Sequence, residues 1–580
     1  MRMDGDSKMI RKYIFTLAVS GFLVAPVGAG KVDYLNTAAL TDNIDTPVQG
    51  CTNSDTVTTP MITWGGDVAT IYANGNSAAT SPGSIFDMQK LRVKLVREDV
   101  FVNQVKNYLS CKSPYLRGTL GMLNLAAEAT EKDPRTKMVV IYQMTWSAGG
   151  DAMVVKTGIK SPKDLKGKTI AVQAYGPHID YLTKILADAG LGIKDVTVRW
   201  VRDLTGSDQT PMAALYESDI DAAMVIIPDA LALTSNGTVG TGAESSVKGA
   251  RILLSTKTAD RIIADVYAVR EDYFKSNRDQ VERFVRGLIM AEESLTGAAK
   301  RGGIQDANYK NAITGSAELL LDSRQAIADT EAMYTDARFV GWQGNVHFFA
   351  TPNNPRSFTR LNTEIQTAIV NLGLARQQHT LNHAKWNYDS LKTGNSASSS
   401  APTPRFDTAA VAQVVAKRTQ QATLEQGELF NFEVHFKPNQ NDFNPNTYAQ
   451  AFDRTIDLAS TYGGAVITVE GHADPLSYLK KKKAGENELV LSRIQQAAKN
   501  LSLTRAMGVR DSLITYARSK SIALDESQFA LVGHGISQPK KGMCGSDPCA
   551  PKTEQEWLDN MRVEFRMIQV EAEENVFRVD

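Results

Sequence analysis

Residues 465 to 474 read AVITVEGHAD, and this stretch decides the fold of the last part of the chain. The run from Ala465 to Glu470 predicts a strand. The strand leads directly into Gly471-His472-Ala473-Asp474, and Pro475 follows. An aspartate in this position is exposed at a strand end, where its carboxylate is available to an ammonium group.

Three more strands and two helices are predicted around this stretch. They are a strand at Phe430 to Phe436, a helix at Tyr448 to Tyr462, a helix opening at Leu501, a strand at Gln528 to Val532 and a closing strand at Asn560 to Phe565. The helix that opens at Leu501 has an apolar stripe, and apolar and polar residues alternate along the closing strand. Its apolar face holds Met561, Val563, Phe565 and Met567. The order β-α-β-α-β-β predicts a compact α+β domain.

Four motifs of this domain resemble those of the OmpA-like peptidoglycan-binding family. They are Gly471-His472-Ala473-Asp474, Leu501-Ser502-Leu503-Thr504-Arg505-Ala506, Gly533-His534-Gly535 and Asn560-Met561-Arg562-Val563-Glu564-Phe565, in the family's order. The resemblance covers about residues 430 to 570. It implies that Asp474 and Arg505 clamp the free amine and carboxylate of the diamino acid in the stem peptide. The family's asparagine before the Leu-Ser pair falls on Ala498, and Asn500 is the candidate to replace it.

Local chemistry independently favours an anion near Arg505. Ser502 is predicted to be the N-cap of a helix, which places Arg505 at the third helical position. A cation there opposes the helix dipole by about 0.3 to 1 kcal/mol, and a bound carboxylate would relieve the conflict. In the alternative interpretation, Asp474 caps a turn and Arg505 is a surface charge.

Two other features of this domain bear on its chemistry. His472 and His534 are predicted to be structural, because neither has metal-ligand spacing to another His or Cys, and no metal is expected. The gap between Asp474 and Arg505 is wider than in the family. It contains Lys480 to Lys483 and an extra helical stretch near Leu489 to Ala498, which would cover or extend the site.

The preceding part of the chain has a different pattern. From Thr58 to about Asn277, short β-rich runs alternate with helical patterns, which predicts an α/β domain with a mainly parallel sheet. Helical patterns follow and are expected to complete this body. Residues 393 to 407, TGNSASSSAPTPRFD, have the composition of a linker. The predicted order is a signal peptide (1–30), an N-terminal extension (31–57), the α/β domain (58–392), the linker (393–407), a connecting helix (408–429) and the α+β domain (430–580).

Several segments of the α/β part resemble type 2 periplasmic solute-binding domains, nearest to the sulfonate, taurine and pyrimidine-precursor binders of ABC transporters. They are Ser147 to Val155, Ser161 to Val172, Asp219 to Ala223 and Asp279 to Phe284, within a resemblance that covers roughly Thr58 to Ala299. The resemblance implies a two-lobed α/β fold that holds its ligand between the lobes, at strand ends and helix starts.

The resemblance implies a set of solute-binding residues in these loops. They are Trp64, Gly65, Asp67, Thr119, Trp146, Asp151, Tyr175, Gly176, His178 and Asp229. The aromatic residues would form the walls around a small polar solute, although each could instead pack within a lobe. His178 stands at a predicted helix start, where a cation is disfavoured, so it is expected to act as a neutral hydrogen-bonding group.

The start of the chain and its cysteines indicate export. Arg11 and Lys12 precede an apolar run from Tyr13 to Val27, which predicts a secretory signal peptide; the alternative, a transmembrane helix, requires a longer run. Export permits disulfides, and the cysteines fall into the pairs Cys51 with Cys111 and Cys544 with Cys549. Half of a metal site is the alternative for the second pair, but two ligands are missing.

These patterns predict a binding protein and exclude other classes. Lys plus Arg and Asp plus Glu both number 64, so no net charge recruits nucleic acid. No Ser-His-Asp order, phosphate-binding lysine loop or His-Glu-x-x-His helix occurs, so neither an enzyme nor a cofactor is expected. The leading hypothesis is a periplasmic solute-binding protein, held on peptidoglycan near the outer membrane and serving an ABC transporter permease. The alternative is a wall-tethered scaffold whose α/β domain binds a protein partner.

Overall fold

The computed structural model describes residues 31–37, 39–52, 54–393, 404–421, 423–424, 428–437, 445–544 and 547–570. The predicted signal peptide and most of the predicted linker lie outside these ranges. Within the described ranges, no helix combines the length and the hydropathy needed to cross a bilayer.

Residues 57 to 391 form two α/β lobes. Their strands are β1 (Val57–Met61), β2 (Val93–Arg97), β3 (Tyr115–Thr119), β4 (Met138–Ser147), β5 (Asp151–Val155), β6 (Thr169–Gln173), β7 (Thr197–Val201), β8 (Ala222–Ile226), β9 (Arg251–Ser255), β10 (Ala264–Arg270), β11 (Ala337–Phe339) and β12 (Asn382–His383). Their helices are α1 (Asp67–Ala73), α2 (Ile85–Met88), α3 (Phe101–Leu109), α4 (Leu120–Glu131), α5 (Ile179–Asp188), α6 (Pro211–Ala214), α7 (Ile227–Leu233), α8 (Glu271–Ser276), α9 (Arg278–Gly302), α10 (Ala307–Leu321), α11 (Ile327–Asp336), α12 (Gly341–Asn345), α13 (Phe358–Asn371) and α14 (Tyr388–Leu391).

Each lobe is built on its own sheet. Lobe I has the strand order β11-β4-β10-β3 with a separate β1-β2 pair, and lobe II has the order β7-β6-β8-β5-β9. The chain crosses from one lobe to the other twice, between β4 and β5 and between β9 and β10. The predicted two-lobed α/β architecture is thus observed.

The prediction of mainly parallel sheets is wrong. Strand β5 runs antiparallel to β8 and β9, and β10 runs antiparallel to β3 and β4. Both strands enter their lobe directly from a crossover. They therefore run in the opposite direction to their neighbouring strands in that lobe. The sheets are therefore mixed.

The N-terminal extension packs against both lobes. Its Leu35 pairs with Trp200 of β7 in lobe II, whereas Leu40 is fully buried in lobe I. The disulfide between Cys51 and Cys111, with Cα atoms 5.2 Å apart, joins its end to lobe I. This predicted pair is confirmed. The side chain of Cys544 lies outside the described residues, so the second pair stays a prediction.

Residues 404 to 570 form the third unit. Its strands are β13 (Glu428–His435), β14 (Ala465–His472), β15 (Phe529–Gly535), β16 (Met543–Cys544), β17 (Asp547–Pro548) and β18 (Arg562–Gln569). Its helices are α15 (Thr408–Gln420), α16 (Ala449–Thr461), α17 (Leu476–Lys483), α18 (Glu488–Ser519) and α19 (Glu554–Asn560). The main sheet has the order β13-β18-β14-β15, and the predicted sequence of strands and helices is observed with α17, α19 and the short β16-β17 pair added.

The predicted start of this unit, at Phe430, lies too far along the chain. Phe406 lies in the predicted linker and is fully buried, and its N–H donates to Ser527 Oγ at 3.1 Å. Val411, Val414 and Val415 of α15 pack against the sheet residues Val466, Ala530 and Ile568. The predicted connecting helix is therefore part of the domain, because its apolar stripe covers one face of the sheet.

The C-terminal domain packs on lobe II through charges and apolar contacts. Asp188 of α5 accepts hydrogen bonds from Lys184 Nζ at 3.0 Å, Arg454 Nη1 at 2.9 Å and the Tyr462 hydroxyl at 2.9 Å. Side chains of lobe II and of the C-terminal domain also share one apolar core cluster. The contact therefore orients the C-terminal domain against one lobe.

Candidate functional sites

The crossovers bring a carboxylate to the junction of the two lobes. Asp151, at the start of β5, is 7% exposed. Its Oδ2 accepts from Ser147 Oγ at 2.6 Å, and its Oδ1 lies 2.8 Å from His178 Nε2 at the start of α5. Its backbone N–H donates to Thr256 Oγ1 at 3.1 Å, at the start of the second crossover. Four chain segments thus meet at Asp151.

Trp64 of lobe I lies against the first crossover. A Cβ atom on Gly150 would stand 2.5 Å from the Trp64 ring, so only glycine permits this contact. The indole Nε1 donates to Thr145 Oγ1 at 3.2 Å, and Trp64 is partly exposed as a residue. Trp146, in contrast, is 8% exposed and packs edge-on against Phe348 within lobe I. The structure thus brings Trp64 to the junction and uses Trp146 in packing.

The Tyr175 loop reaches the N-terminal extension. Tyr175 is partly exposed with φ +58°, and its hydroxyl accepts from Asn43 Nδ2 at 3.0 Å. Its neighbour Gly176 packs on the side chain of Gln173, whose Oε1 would lie 2.1 Å from a Cβ atom at that position. Both residues precede the start of α5, as predicted, and Tyr175 packs against the apolar cluster of lobe I.

Three other predicted residues have structural partners. Gly65 packs on the backbone of Met333, and Thr119 is the N-cap of α4, with its hydroxyl accepting from Met122 N–H at 3.1 Å. Asp67 is completely buried and binds Arg117, with its Oδ2 2.9 Å from Arg117 Nη2. In this structure the carboxylate of Asp67 therefore belongs to an internal ion pair beneath the junction.

Arg117 is a central group that sequence reasoning missed. It is fully buried in β3, between Asp67 and Asp265, whose Oδ1 lies 2.9 Å from its Nη1. Burial raises the pKa of Asp67 to about 6, although Arg117 acts to lower it. Asp265 Oδ2 also accepts from Thr145 Oγ1 at 2.9 Å, which links the triad to the Trp64 contact.

Further carboxylates surround Asp151. Asp180 of α5 is 4% exposed, and burial raises its pKa to about 8, with a contribution from Asp151. Burial also raises the pKa of Asp229 in α7, and of Asp336 at the end of α11, to about 6 each. Only Asp229 was predicted from the sequence. The other two come from segments that lack a family motif.

In the C-terminal domain, Asp474 and Arg505 flank the carboxyl end of β14. Asp474 Oδ1 accepts from Leu476 N–H at 2.7 Å, and the side chain is partly buried. Arg505, on α18, is 2% exposed, and its guanidinium lies over the Phe436 ring at 5.1 Å. Burial raises the pKa of Asp474 and lowers the pKa of Arg505.

Close packing of α18 on the strand ends positions Arg505. A Cβ atom on Gly471 would lie 1.9 Å from Ser502 O, and one on Gly533 would lie 2.9 Å from Lys499 O. The glycines of both motifs are therefore required because the helix approaches the sheet so closely. Arg505 follows Ser502 by about one helical turn, on the same buried side.

The prediction that Ser502 is an N-cap is wrong. Helix α18 begins at Glu488, with Asn487 as its N-cap, and continues through Ser502. The hydroxyl of Ser502 donates to Lys499 O at 2.9 Å and accepts from Gly535 N–H at 3.0 Å. Free helix N–H groups therefore do not assist Arg505. Asn500 is exposed and bonded to Gln496, on a different side of the helix from Arg505.

A buried polar cluster beneath the strand ends was also missed. Glu470 accepts from Arg566 Nε at 3.0 Å and from Thr468 Oγ1 at 2.6 Å, and its Oε2 lies 3.0 Å from His534 Nε2. The His472 and His534 rings stack at 4.8 Å, although they are distant in sequence. Potential metal-ligand atoms of Glu470 and both histidines lie within 4.8 Å of one another, which their sequence spacing did not predict.

Comparisons with known proteins find relatives of the two-lobed part. A family model described as "NMT1/THI5 like" matches residues 124–294. The taurine-binding periplasmic protein of Escherichia coli (strain K12) is 28% identical over 258 residues, which cover 40% of this chain and 71% of that protein. The predicted resemblance of this part to taurine- and sulfonate-binding proteins is thereby confirmed.

Two solved structures have a partial likeness to this chain. The alkanesulfonate-binding protein SsuA from Xanthomonas axonopodis pv. citri bound to MOPS is 13% identical, with a TM-score of 0.38, over 57% of this chain and 98% of that one. The desulfurization enzyme DSZB is 15% identical, with a TM-score of 0.36, over 58% of this chain and 99% of that one.

Proposed function

We propose that this protein is a periplasmic solute receptor whose C-terminal domain binds peptidoglycan. In this proposal the two lobes bind a small polar solute at Asp151 and deliver it to an ABC transporter permease. The C-terminal domain grips the stem-peptide diamino acid between Asp474 and Arg505. The observation that carries the proposal is a unit of two lobes that meet at Asp151, packed on an α+β domain in which α18, carrying the buried Arg505, lies against the strand end that Asp474 follows.

The receptor half is supported by the geometry of the crossovers. Asp151 and Thr256 lie where the chain passes between lobes, so a group bound there contacts both lobes at once. Trp64 from lobe I and His178 from lobe II reach the same place. The 28% identity to the taurine-binding periplasmic protein of E. coli further supports solute binding and a periplasmic location.

The wall-binding half is supported by charge and burial. Arg505 presents a guanidinium that is nearly enclosed, and such a group is a strong bidentate partner for a carboxylate. Asp474 supplies the complementary anion for an amine. The two glycine contacts hold α18, which carries Arg505, against the end of β14, and Asp474 follows that strand end.

Sedimentation with purified sacculi tests this half. We expect the full chain to sediment with sacculi and Asp474→Asn and Arg505→Met to lose most of this retention, because each removes one charge of the clamp. Asp474→Asn keeps the side-chain acceptor for Leu476 N–H. The matched controls are Asp511→Asn and Arg493→Met, exposed residues of the same helix, which should be retained like the wild type.

Thermal melts of each variant separate loss of binding from loss of folding. Retention of folded Asp474→Asn and Arg505→Met at the wild-type level would overturn the clamp assignment.

A further inference from the structure

The C-terminal domain contacts the second crossover between the lobes, residues 256–263, as well as lobe II. The N–H of Gly464, a buried residue just before β14, donates to Thr258 O at 3.1 Å. A Cβ atom on Gly464 would lie 1.9 Å from Lys257 O, so this approach of two backbones requires glycine. The backbone of the C-terminal domain thus lies directly on the crossover.

Asp260 of the crossover joins three parts of the molecule. Its carboxylate is fully buried, and its Oδ1 accepts from Gly463 N–H at 3.0 Å. Its Oδ2 pairs with Arg338 of β11, in lobe I, and with Arg405 of the C-terminal domain. Arg405 is fixed in that domain, because its own N–H donates to Asp525 Oδ2 at 2.9 Å. One carboxylate therefore connects the crossover, lobe I and the C-terminal domain.

The C-terminal domain is held on lobe II at the same time. Asp188 of α5 accepts from Arg454 and Tyr462 of this domain. Gln569 Nε2, at the end of β18, donates to Leu253 O of β9 at 2.6 Å, and β9 leads into the crossover. The domain thus extends from lobe II to Asp260 and bridges the joint between the lobes.

Rotation of one lobe against the other would disturb this arrangement. Such a rotation changes the backbone of the segments that connect the lobes. The second crossover cannot shift freely, because Gly464 lies against its backbone and Asp260 is bonded on both sides. Thr256, just before these contacts, accepts from Asp151 N–H at the end of the first crossover. Both crossovers are therefore tied to the segment that the C-terminal domain holds.

We propose that the C-terminal domain braces the second crossover and restrains rotation of the two lobes. The domain that grips the wall thereby also sets how readily the receptor closes around a solute. This consequence rests on the proposed receptor function, whereas the restraint itself depends only on the contacts around Asp260 and Gly464. Weakening these contacts should widen the range of lobe arrangements without unfolding either part.

Distances between the lobes in the full chain test the restraint directly, with no solute present. Spin labels are placed on cysteines that replace the exposed residues Lys310 of lobe I and Lys194 of lobe II. Pulsed electron paramagnetic resonance then gives the distribution of distances between them. Gly464→Ala places a Cβ atom against the crossover backbone, and Arg405→Met removes one charged partner of its carboxylate. We expect each substitution to broaden the distribution at least about twofold.

Two matched variants serve as controls. Gly508→Ala, in α18, adds a Cβ atom that would have no neighbour within 4 Å. Arg518→Met removes an exposed arginine that pairs with Glu526 inside the C-terminal domain. Both should keep the wild-type distribution. Circular dichroism melts of all four variants distinguish a freed crossover from unfolding.

The possible results are decisive for the brace. An unchanged distribution in folded Gly464→Ala and Arg405→Met would overturn it. A broad distribution in the wild type itself would overturn it without any substitution. Because no solute is added, the result does not depend on the receptor function. That function is contradicted separately, if a solute library causes no thermal shift of the full chain.

Discussion

Replacing Arg117 with methionine is expected to lower the free energy of unfolding of the two-lobed part by about 3 to 5 kcal/mol. Arg117 is the shared partner of Asp67 and Asp265, and all three side chains are buried. Methionine fills a similar volume but leaves two carboxylates close together without a positive partner. Chemical denaturation followed by intrinsic fluorescence measures the loss.

The destabilisation caused by Arg117→Met should depend on pH in a predictable direction. The pKa of Asp67 is about 6 in the folded protein and lower when unfolded, so its ionisation costs stability as pH rises through this interval. Without Arg117, the pKa of both carboxylates should rise further. The destabilisation of Arg117→Met should therefore be smaller at pH 5 than at pH 8.

Two controls complete this test. Arg92→Met removes an exposed arginine, also paired with an aspartate, and should cost less than about 1 kcal/mol. Adding Asp67→Asn and Asp265→Asn to Arg117→Met should restore part of the stability, because the uncompensated charges are then gone. A loss from Arg117→Met no larger than that from Arg92→Met would contradict the role of the triad.

Glu470→Gln is the second substitution with a large expected effect, a loss of about 1 to 3 kcal/mol in the C-terminal domain. Glu470 is 1% exposed and accepts from Arg566 and Thr468 beside His534. The amide cannot balance Arg566 and cannot accept the same hydrogen bonds, although Glu428 and Glu564 still pair with that arginine. Since domains are typically stable by about 5 to 15 kcal/mol, this loss is a large fraction of the total.

Acid unfolding distinguishes the role of Glu470 from simple packing. Burial alone would raise its pKa, but the hydrogen bond from His534 and the charge of Arg566 lower it to about 2. A lowered folded pKa stabilises the domain above the unfolded value of 4.5, and this contribution is lost as pH falls toward 2. Glu470→Gln should flatten this part of the acid-unfolding curve.

The control for this variant is Glu488→Gln, which removes an exposed carboxylate at the start of α18 and should cost less than about 1 kcal/mol. Circular dichroism from pH 7 to pH 2 follows both variants. Identical acid-unfolding curves for Glu470→Gln and the wild type would show that the ionised carboxylate does not support the domain.

Local patterns in the sequence predicted the elements of this protein well. Strand β14 begins at Ala465, where its apolar run predicted a strand, and α5 begins directly after His178, the predicted helix start. Such patterns depend on neighbouring residues alone, so they need no knowledge of the tertiary fold. The exception is Ser502, because serine is tolerated inside a helix when its hydroxyl bonds the preceding turn, here Lys499 O.

Groups that interact over long sequence distances could not be predicted in this way. Asp67 and Asp265 meet at Arg117, 50 and 148 residues away, and nothing in their local sequence indicates a buried ion pair. The same holds for Asp180, because its carboxylate lies beside Gly121 of lobe I, and only the folded protein brings these two residues together. Mixed sheet directions also depend on where the chain crosses between lobes.

The most direct test of the central claim is release of the full chain from purified sacculi by free small molecules. Diaminopimelate carries the amine and the carboxylate that Asp474 and Arg505 are proposed to bind. Pimelate lacks the amines, and cadaverine lacks the carboxylates. We predict that diaminopimelate releases the protein at concentrations where pimelate and cadaverine do not. Equal release by all three compounds, or no release by diaminopimelate at any concentration, would contradict a wall-bound receptor held by this clamp.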